Sequence, residues 1–203
     1  MGFLSVLSMA HKLVKERVSQ GDTVVDATCG NGVDTLLLAE LAGRRGAVYA
    51  FDIQAEALER TRDRLAGSSG GGVSAAEKAG AASSGAALHL VHASHADMAA
   101  HVAADAHGNV AAVMFNLGYL PGADQTVITT PDGTLAALDA ALSLLRPGGI
   151  VTVVLYPGHP GGAEEADAVQ QWAASLPQAA AQAVLYRMAQ KAEAPYLMAI
   201  EKR

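Results

Sequence analysis

Residues 3–18 place Leu4, Leu7, Ala10, His11, Val14 and Val18 at spacings of three and four, which predicts an amphipathic helix lying on a core. Gly21-Asp22 breaks that rhythm, and Thr23-Val24-Val25-Asp26 reads as a short strand. Asp34–Leu41 returns to helical spacing and closes at Gly43 and the turn Arg44-Arg45-Gly46. Ala47–Phe51 is a second buried strand ending in Asp52, and 55–65 a helix with Glu56, Glu59, Arg60 and Arg64 on its wet side. The pattern then predicts strands over Leu88–His92, Val110–Phe115 and Ile150–Leu155, with a short helix near 96–104 and a longer one over 132–145. Arg146-Pro147-Gly148-Gly149 is read as the turn into the strand at Ile150. A helix over 163–175 and two strands, Ala183–Ala189 and Tyr196–Lys202, joined by a loop around Lys191–Pro195, end the chain.

Strands alternating with helices of this length predict a doubly wound α/β fold with a mainly parallel, seven-stranded sheet covered on both faces. The last two strands have no helix between them, so they are expected to pair antiparallel at one edge. Residues 66–87 fit no period: Gly, Ser and Ala dominate, and such a stretch buries too little surface to offset its ordering entropy. It is expected to be a flexible loop inserted into a single domain spanning 1–203.

Composition narrows the function classes. The net charge of −6 argues against a protein that holds long nucleic acid by phosphate neutralisation alone, while leaving room for a local basic patch against a small folded RNA. Cys29 is the single cysteine, which excludes an intrachain disulfide and a cysteine-rich zinc site. The histidines show no metal-ligand spacing, and no metal is expected. No apolar run reaches the roughly 18 residues of a membrane span, and the N-terminus lacks the pattern of a signal peptide. These features predict a soluble cytoplasmic protein.

In an open parallel sheet, ligands bind beyond the carboxyl ends of the strands, so the residues that follow each strand carry the candidate chemistry. After the first strand comes Asp26-Ala27-Thr28-Cys29-Gly30-Asn31-Gly32, whose paired glycines allow a tight turn and close backbone approach just before a helix. Thr35 stands where a dinucleotide fingerprint would need a third glycine, which counts against an NAD-dependent oxidoreductase. Asp52, at the end of the second strand, can accept both hydroxyls of an adenosine ribose. Ser94 and His95 follow the third strand, where an adenine ring is expected. After the fourth strand, Asn116-Leu117-Gly118-Tyr119-Leu120-Pro121-Gly122 offers the Asn116 amide oxygen and turn carbonyls as acceptors for a target amine, aiming its lone pair for in-line attack. Tyr119 can stack on a base. Tyr156-Pro157-Gly158-His159-Pro160 follows the fifth strand as a stiff loop in which His159 can orient substrate or accept a proton.

Together these segments resemble the tRNA 5-aminomethyl-2-thiouridine methyltransferases, a family formerly labelled rRNA methylases. The matching residues are Val24–Thr28, Gly30-Asn31-Gly32, Asp34-Thr35, Tyr49–Gln54, Ser94-His95, Phe115–Gly122 and Tyr156-x-Gly158-His159-Pro160. The long 66–87 stretch departs from the family's shorter connection. The resemblance implies a class I, Rossmann-like methyltransferase fold and S-adenosyl-L-methionine as the methyl donor. It further implies methylation of the wobble uridine in a tRNA anticodon stem-loop, and a homodimer. Carried onto this chain, Asp26, Gly30, Asn31, Gly32, Asp34, Thr35, Asp52, Ile53, Gln54, Ser94, His95 and Asn116 would form the cofactor pocket. Leu117, Gly118, Tyr119, Tyr156 and His159 would face the nucleotide, with Asn116, Tyr119 and His159 closest to the chemistry. Methylation of rRNA or of a small-molecule amine stands as the alternative.

Overall fold

Strands β1 (Thr23–Asp26), β2 (Ala47–Asp52), β3 (Ala87–His92), β4 (Val110–Asn116) and β5 (Leu145–Leu155) run parallel. With β6 (Ala181–Tyr186) and β7 (Tyr196–Lys202) they form one seven-stranded sheet in the order β3-β2-β1-β4-β5-β7-β6. The final hairpin inserts β7 antiparallel between β5 and β6, so β6 becomes the edge. This computed structural model describes residues 2–68, 86–118, 129–158, 160–191 and 193–203.

Successive strand residues point to opposite faces, and here both faces are buried. Val24 joins Ala10 and Val14 of α1 (Val6–Lys15) and Leu38 of α2 (Val33–Ala42) in one core. Val25 joins Met98 of α4 (Met98–His101), Leu138 of α5 (Pro131–Leu144) and Val169 of α6 (Gly162–Ser175) in the other. α3 (Ala55–Ser68) packs Leu58 against Ala50 and Cys29 on the side of α2. The chain leaves β1 toward β2 and β3 in one direction and returns through β4 toward β5 in the other. The carboxyl ends of β1 and β4 therefore flank the switch point at which such sheets open a crevice.

Several boundaries differ from the sequence reading, each for a local reason. α1 covers Val6–Lys15 within the expected 3–18, because the Ser5 hydroxyl accepts the Ser8 N–H and caps the helix there. The helix expected near 96–104 is divided into a single 3-10 turn at His95–Asp97, the short α4, and another 3-10 turn at Ala104–Ala106. Val102 breaks it by turning extended (φ −70°, ψ 133°) to bury its side chain in the core. β5 starts at Leu145, ahead of the expected Ile150. Val110 pairs with Leu145 and Ala112 with Ile150, so Arg146–Gly149 form a bulge inside the strand. Arg146 anchors that bulge by donating to both carboxylate oxygens of Asp22 and to the Arg17 carbonyl. β6 ends at Tyr186, short of the expected Ala189, where its pairing with β7 reaches Leu197. Of the 66–87 stretch, α3 continues through Ser68 and β3 begins at Ala87; residues 69–85 lie outside the described residues.

Candidate active site

A cavity of about 790 Å³ opens over the carboxyl ends of β1, β2 and β4. Its floor is the turn after β1. Gly30 (φ +50°) and Gly32 (φ +75°) take left-handed conformations there. The Gly30 N–H donates to one oxygen of Asp52 at 3.1 Å, and the Gln54 N–H donates to the other at 2.9 Å. Asp52 thus bridges the two strand-end loops, and each of its oxygens keeps a lone pair beyond its single backbone donor. Arg60 of α3 donates to the Asn31 side-chain oxygen at 3.2 Å, and Arg64 to the Asn31 carbonyl, fastening the turn from outside.

The two glycines have different tasks. A Cβ on Gly32 would lie 2.8 Å from the Thr61 Cα, so that glycine lets α3 approach the turn. Gly30 faces the cavity. Asp26 and Thr35, also expected at the ligand, are buried beneath the turn and do not line the cavity; nor does Gly32. The Thr35 hydroxyl donates to Asp26 at 2.6 Å and the Thr28 N–H at 3.2 Å. Burial, then the nearby Asp34 charge, pushes the Asp26 carboxyl up to about 7 despite these bonds. The other expected cofactor residues, Asn31, Asp34, Ile53, Gln54, Ser94, His95 and Asn116, line the cavity together with Gly30 and Asp52.

His95 packs edge-on against Phe115, with ring centroids 5.7 Å apart, and its Nδ1 lies 3.2 Å from the Ala27 carbonyl. A carbonyl only accepts, so Nδ1 carries the proton and Nε2 is left as an acceptor. Burial lowers the His95 pKa below its ordinary value, favouring the neutral ring. Cys29 is also in the cavity wall, but burial pushes its thiol up to about 12, which keeps it protonated and unreactive.

On the opposite wall, the Asn116 N–H donates to the Thr28 hydroxyl at 2.7 Å, and the Leu117 N–H to the Val154 carbonyl at 3.0 Å. Gly118 takes φ +128° and donates its N–H to the Thr129 hydroxyl at 3.2 Å. Leu117, Gly118 and Tyr156 line the cavity as expected residues of the substrate side. Burial, followed by the Asp34 charge, raises the Tyr156 pKa above its ordinary value. Tyr119 and His159 lie outside the described residues.

Thr129, Thr130, Gly133, Glu193 and Pro195 also line the cavity and were missed in the sequence. Thr129-Thr130-Pro131 does carry a helix-start signature, which could have placed the two threonines at the rim. Glu193 and Pro195 arrive from the β6–β7 hairpin, which no local pattern connects to β1. His11, read as structural or exposed, places Nε2 2.6 Å from the Asp34 carboxylate, across 23 positions of sequence. Among the described residues, no group of His, Cys, Asp or Glu side chains could hold a metal ion, and no helix is long and apolar enough to cross a membrane.

The donor set fits an adenosyl ligand bearing a sulfonium. Asp52 offers open acceptor sites for a ribose diol, and beside it Ile53 leaves 54% of its surface exposed for the face of a flat base. The carboxylates of Asp34 and Asp52 make the cavity favourable to positive charge. A sheet of this strand order, with a glycine turn after β1 and an acid at the end of β2 open to the same cavity, defines a class I methyltransferase, dependent on S-adenosylmethionine.

The chain belongs to the family described as "Putative rRNA methylase", whose profile matches residues 48–201. It is 38% identical over 200 residues to a tRNA (mnm(5)s(2)U34)-methyltransferase, chloroplastic, of Arabidopsis thaliana, covering 96% of this chain and 68% of the relative. A Clostridium thermocellum protein called a "putative rRNA-methylase" shares the fold with a TM-score of 0.87 and 36% identity, over the whole of both chains. A Streptococcus mutans methyltransferase solved in complex with SAH superposes with a TM-score of 0.81 and 29% identity, again over the whole of both chains.

Proposed function

We propose that this enzyme methylates the primary amine of 5-aminomethyl-2-thiouridine at the wobble position of tRNA, forming 5-methylaminomethyl-2-thiouridine. The observation that carries the reading is the Asn116-Leu117-Gly118 turn, set across one cavity from Asp52, in a chain with a 38% identical tRNA-methylating relative. The anticodon stem-loop is the proposed substrate element and a homodimer the proposed working form, both supported by the family resemblance.

S-adenosylmethionine, when bound, supplies an electrophilic methyl group. Asp52, Ile53, Gln54, Gly30, Asn31, Ser94 and His95 would hold it, with Asp34 at the same wall. The substrate amine must be neutral to attack. The Asn116 side-chain oxygen and the Leu117 carbonyl accept its N–H groups, leaving the lone pair aimed into the cavity. Tyr156 lines the same cavity as Asn116 and is assigned to the nucleotide side. Tyr119 and His159 are assigned to the nucleotide side, Tyr119 to stack and His159 to orient the nucleotide or take up the amine proton. Positioning supplies most of the acceleration in this reading.

The test is direct. Purified protein is incubated with S-adenosylmethionine and tRNA from cells lacking the terminal wobble methylation, and the nucleosides are resolved by mass spectrometry. Conversion of the aminomethyl to the methylaminomethyl nucleoside is expected. No conversion by protein that binds SAH would overturn the wobble assignment and direct the search to rRNA and small amines.

A further inference from the structure

Glu165 sits on α6 with 2% of its surface exposed and makes no ion pair among the described residues. Burying a carboxylate without a cation is costly unless hydrogen bonds satisfy it. Two threonine hydroxyls do so here. Thr129 Oγ1 donates to one oxygen at 2.9 Å, and Thr134 Oγ1, itself fully buried, to the other at 2.7 Å. A threonine hydroxyl has one proton, so the bond to Glu165 fixes which way the Thr129 oxygen turns its lone pairs. One lone pair receives the Gly118 N–H at 3.2 Å. The Thr129 N–H faces the Gly118 carbonyl in return, at 3.4 Å.

This chain of contacts ends on one peptide unit of the active-site wall. The Leu117–Gly118 bond is trans, and in a trans peptide the carbonyl and the N–H point in opposite directions across a plane. Holding the Gly118 N–H toward Thr129 therefore also aims the Leu117 carbonyl. The Leu117 N–H is tied separately to Val154 of β5, and Gly118 adopts φ +128°, a backbone open only to glycine at low cost. The turn needs such an external tether because its own conformation is not one that a strand end falls into by default.

We propose that Glu165 is a positioning residue of the methyl transfer: through the Thr129 hydroxyl it locks the Leu117–Gly118 peptide so that the Leu117 carbonyl accepts a hydrogen of the substrate amine. The proposal deepens the wobble-uridine reading and rests on it for the identity of the amine. Glu165 does not touch the reacting atoms. An acid suits the position because it accepts at both oxygens, whereas a glutamine would present a donor to one of the two hydroxyls.

Three variants test it: Glu165→Gln, Thr129→Val and Thr129→Ser. Valine matches threonine in shape but removes both the donor to Glu165 and the acceptor for Gly118; serine keeps both. Thr129→Val and Glu165→Gln are expected to lower kcat on tRNA by on the order of tenfold or more. SAH affinity by calorimetry is expected to stay within about twofold of wild type, as for an interaction made only with the substrate side. Thr129→Ser is expected to retain turnover. Amide hydrogen exchange at Gly118, measured without tRNA, should accelerate in the valine variant and stay slow in the serine variant. Thr129→Val with wild-type kcat would overturn the proposal, as would parallel losses of kcat and SAH binding, which mark a merely structural role. If the wild-type protein itself does not turn over this tRNA, the functional reading has failed instead. The Gly118 exchange rates then still decide whether the tether exists.

Discussion

On the β1–β2 side of the cavity, Asp52 gathers the Gly30 and Gln54 amides by short backbone contacts from consecutive strand ends. On the β4–β5 side, the Asn116–Gly118 turn is held by Thr28, Val154, Thr129 and, through Thr129, Glu165 of α6. The first wall is proposed to bind the nucleoside of the cofactor, and it is built from consecutive strand ends. The second is the proposed acceptor for the substrate amine, and residues from four separate parts of the chain hold it. Binding of the cofactor and alignment of the amine should therefore fail independently when each wall is damaged.

The largest separation is expected from Asn116→Ala, which removes an acceptor from the substrate wall. Turnover should fall on the order of a hundredfold, while the SAH dissociation constant moves by no more than about twofold; methyl-transfer kinetics and calorimetry measure the pair. Equal losses in both would contradict the role given to Asn116. Asp52→Ala attacks the other wall. Loss of charge-assisted bonds of roughly 1.5–3 kcal/mol should weaken SAH binding by about tenfold to a hundredfold in calorimetry.

Gly32→Ala sharpens the comparison within the first wall. The added Cβ meets Thr61 at 2.8 Å from a left-handed backbone, so a stability loss of about 1–3 kcal/mol is expected in urea unfolding. SAH affinity well below the unfolding range should change little, because Gly32 abuts Thr61 of α3 and does not line the cavity. A pH-dependent effect concerns Asp26 beneath the same turn. Its carboxyl rises from 3.8 to about 7 on folding, so between these values the folded state holds a proton that the unfolded chain has released. Its contribution to stability is greatest below pH 3.8 and is lost as pH rises through about 7. Asp26→Asn should remove that slope from urea midpoints measured between about pH 4 and pH 8.

Much of the first wall was legible in the sequence, because its chemistry sits in contiguous stretches. Gly30-Asn31 and Asp52-Ile53-Gln54 each follow an apolar run that reads as a strand, and strand ends are where this fold binds ligands. Asp26, Gly32 and Thr35, expected at the ligand from the same stretch, sit away from the cavity lining. The three share the turn, yet Asp26 and Thr35 satisfy each other beneath it and Gly32 yields space to Thr61. Asn116, Leu117 and Tyr156 were visible for the same reason as Asp52. Thr129 and Glu165 were not, since a threonine before a helix and a glutamate within an alanine-rich one are ordinary surface residues until α6 packs beside α5.

The sequence by itself determined the alternation of strands and helices, and thereby a doubly wound sheet with its ligand groups at the strand ends. Hydrophobic periodicity encodes those features, and periodicity is local. Only the tertiary structure decided that β7 enters between β5 and β6, that Arg146 holds a bulge within β5 against Asp22, and that His11 meets Asp34. It also decided that a buried Glu165 reaches the active-site turn through Thr129. Each of these is a contact between distant residues, chosen by packing and by the need to satisfy buried polar groups, and no short window of the chain contains both partners.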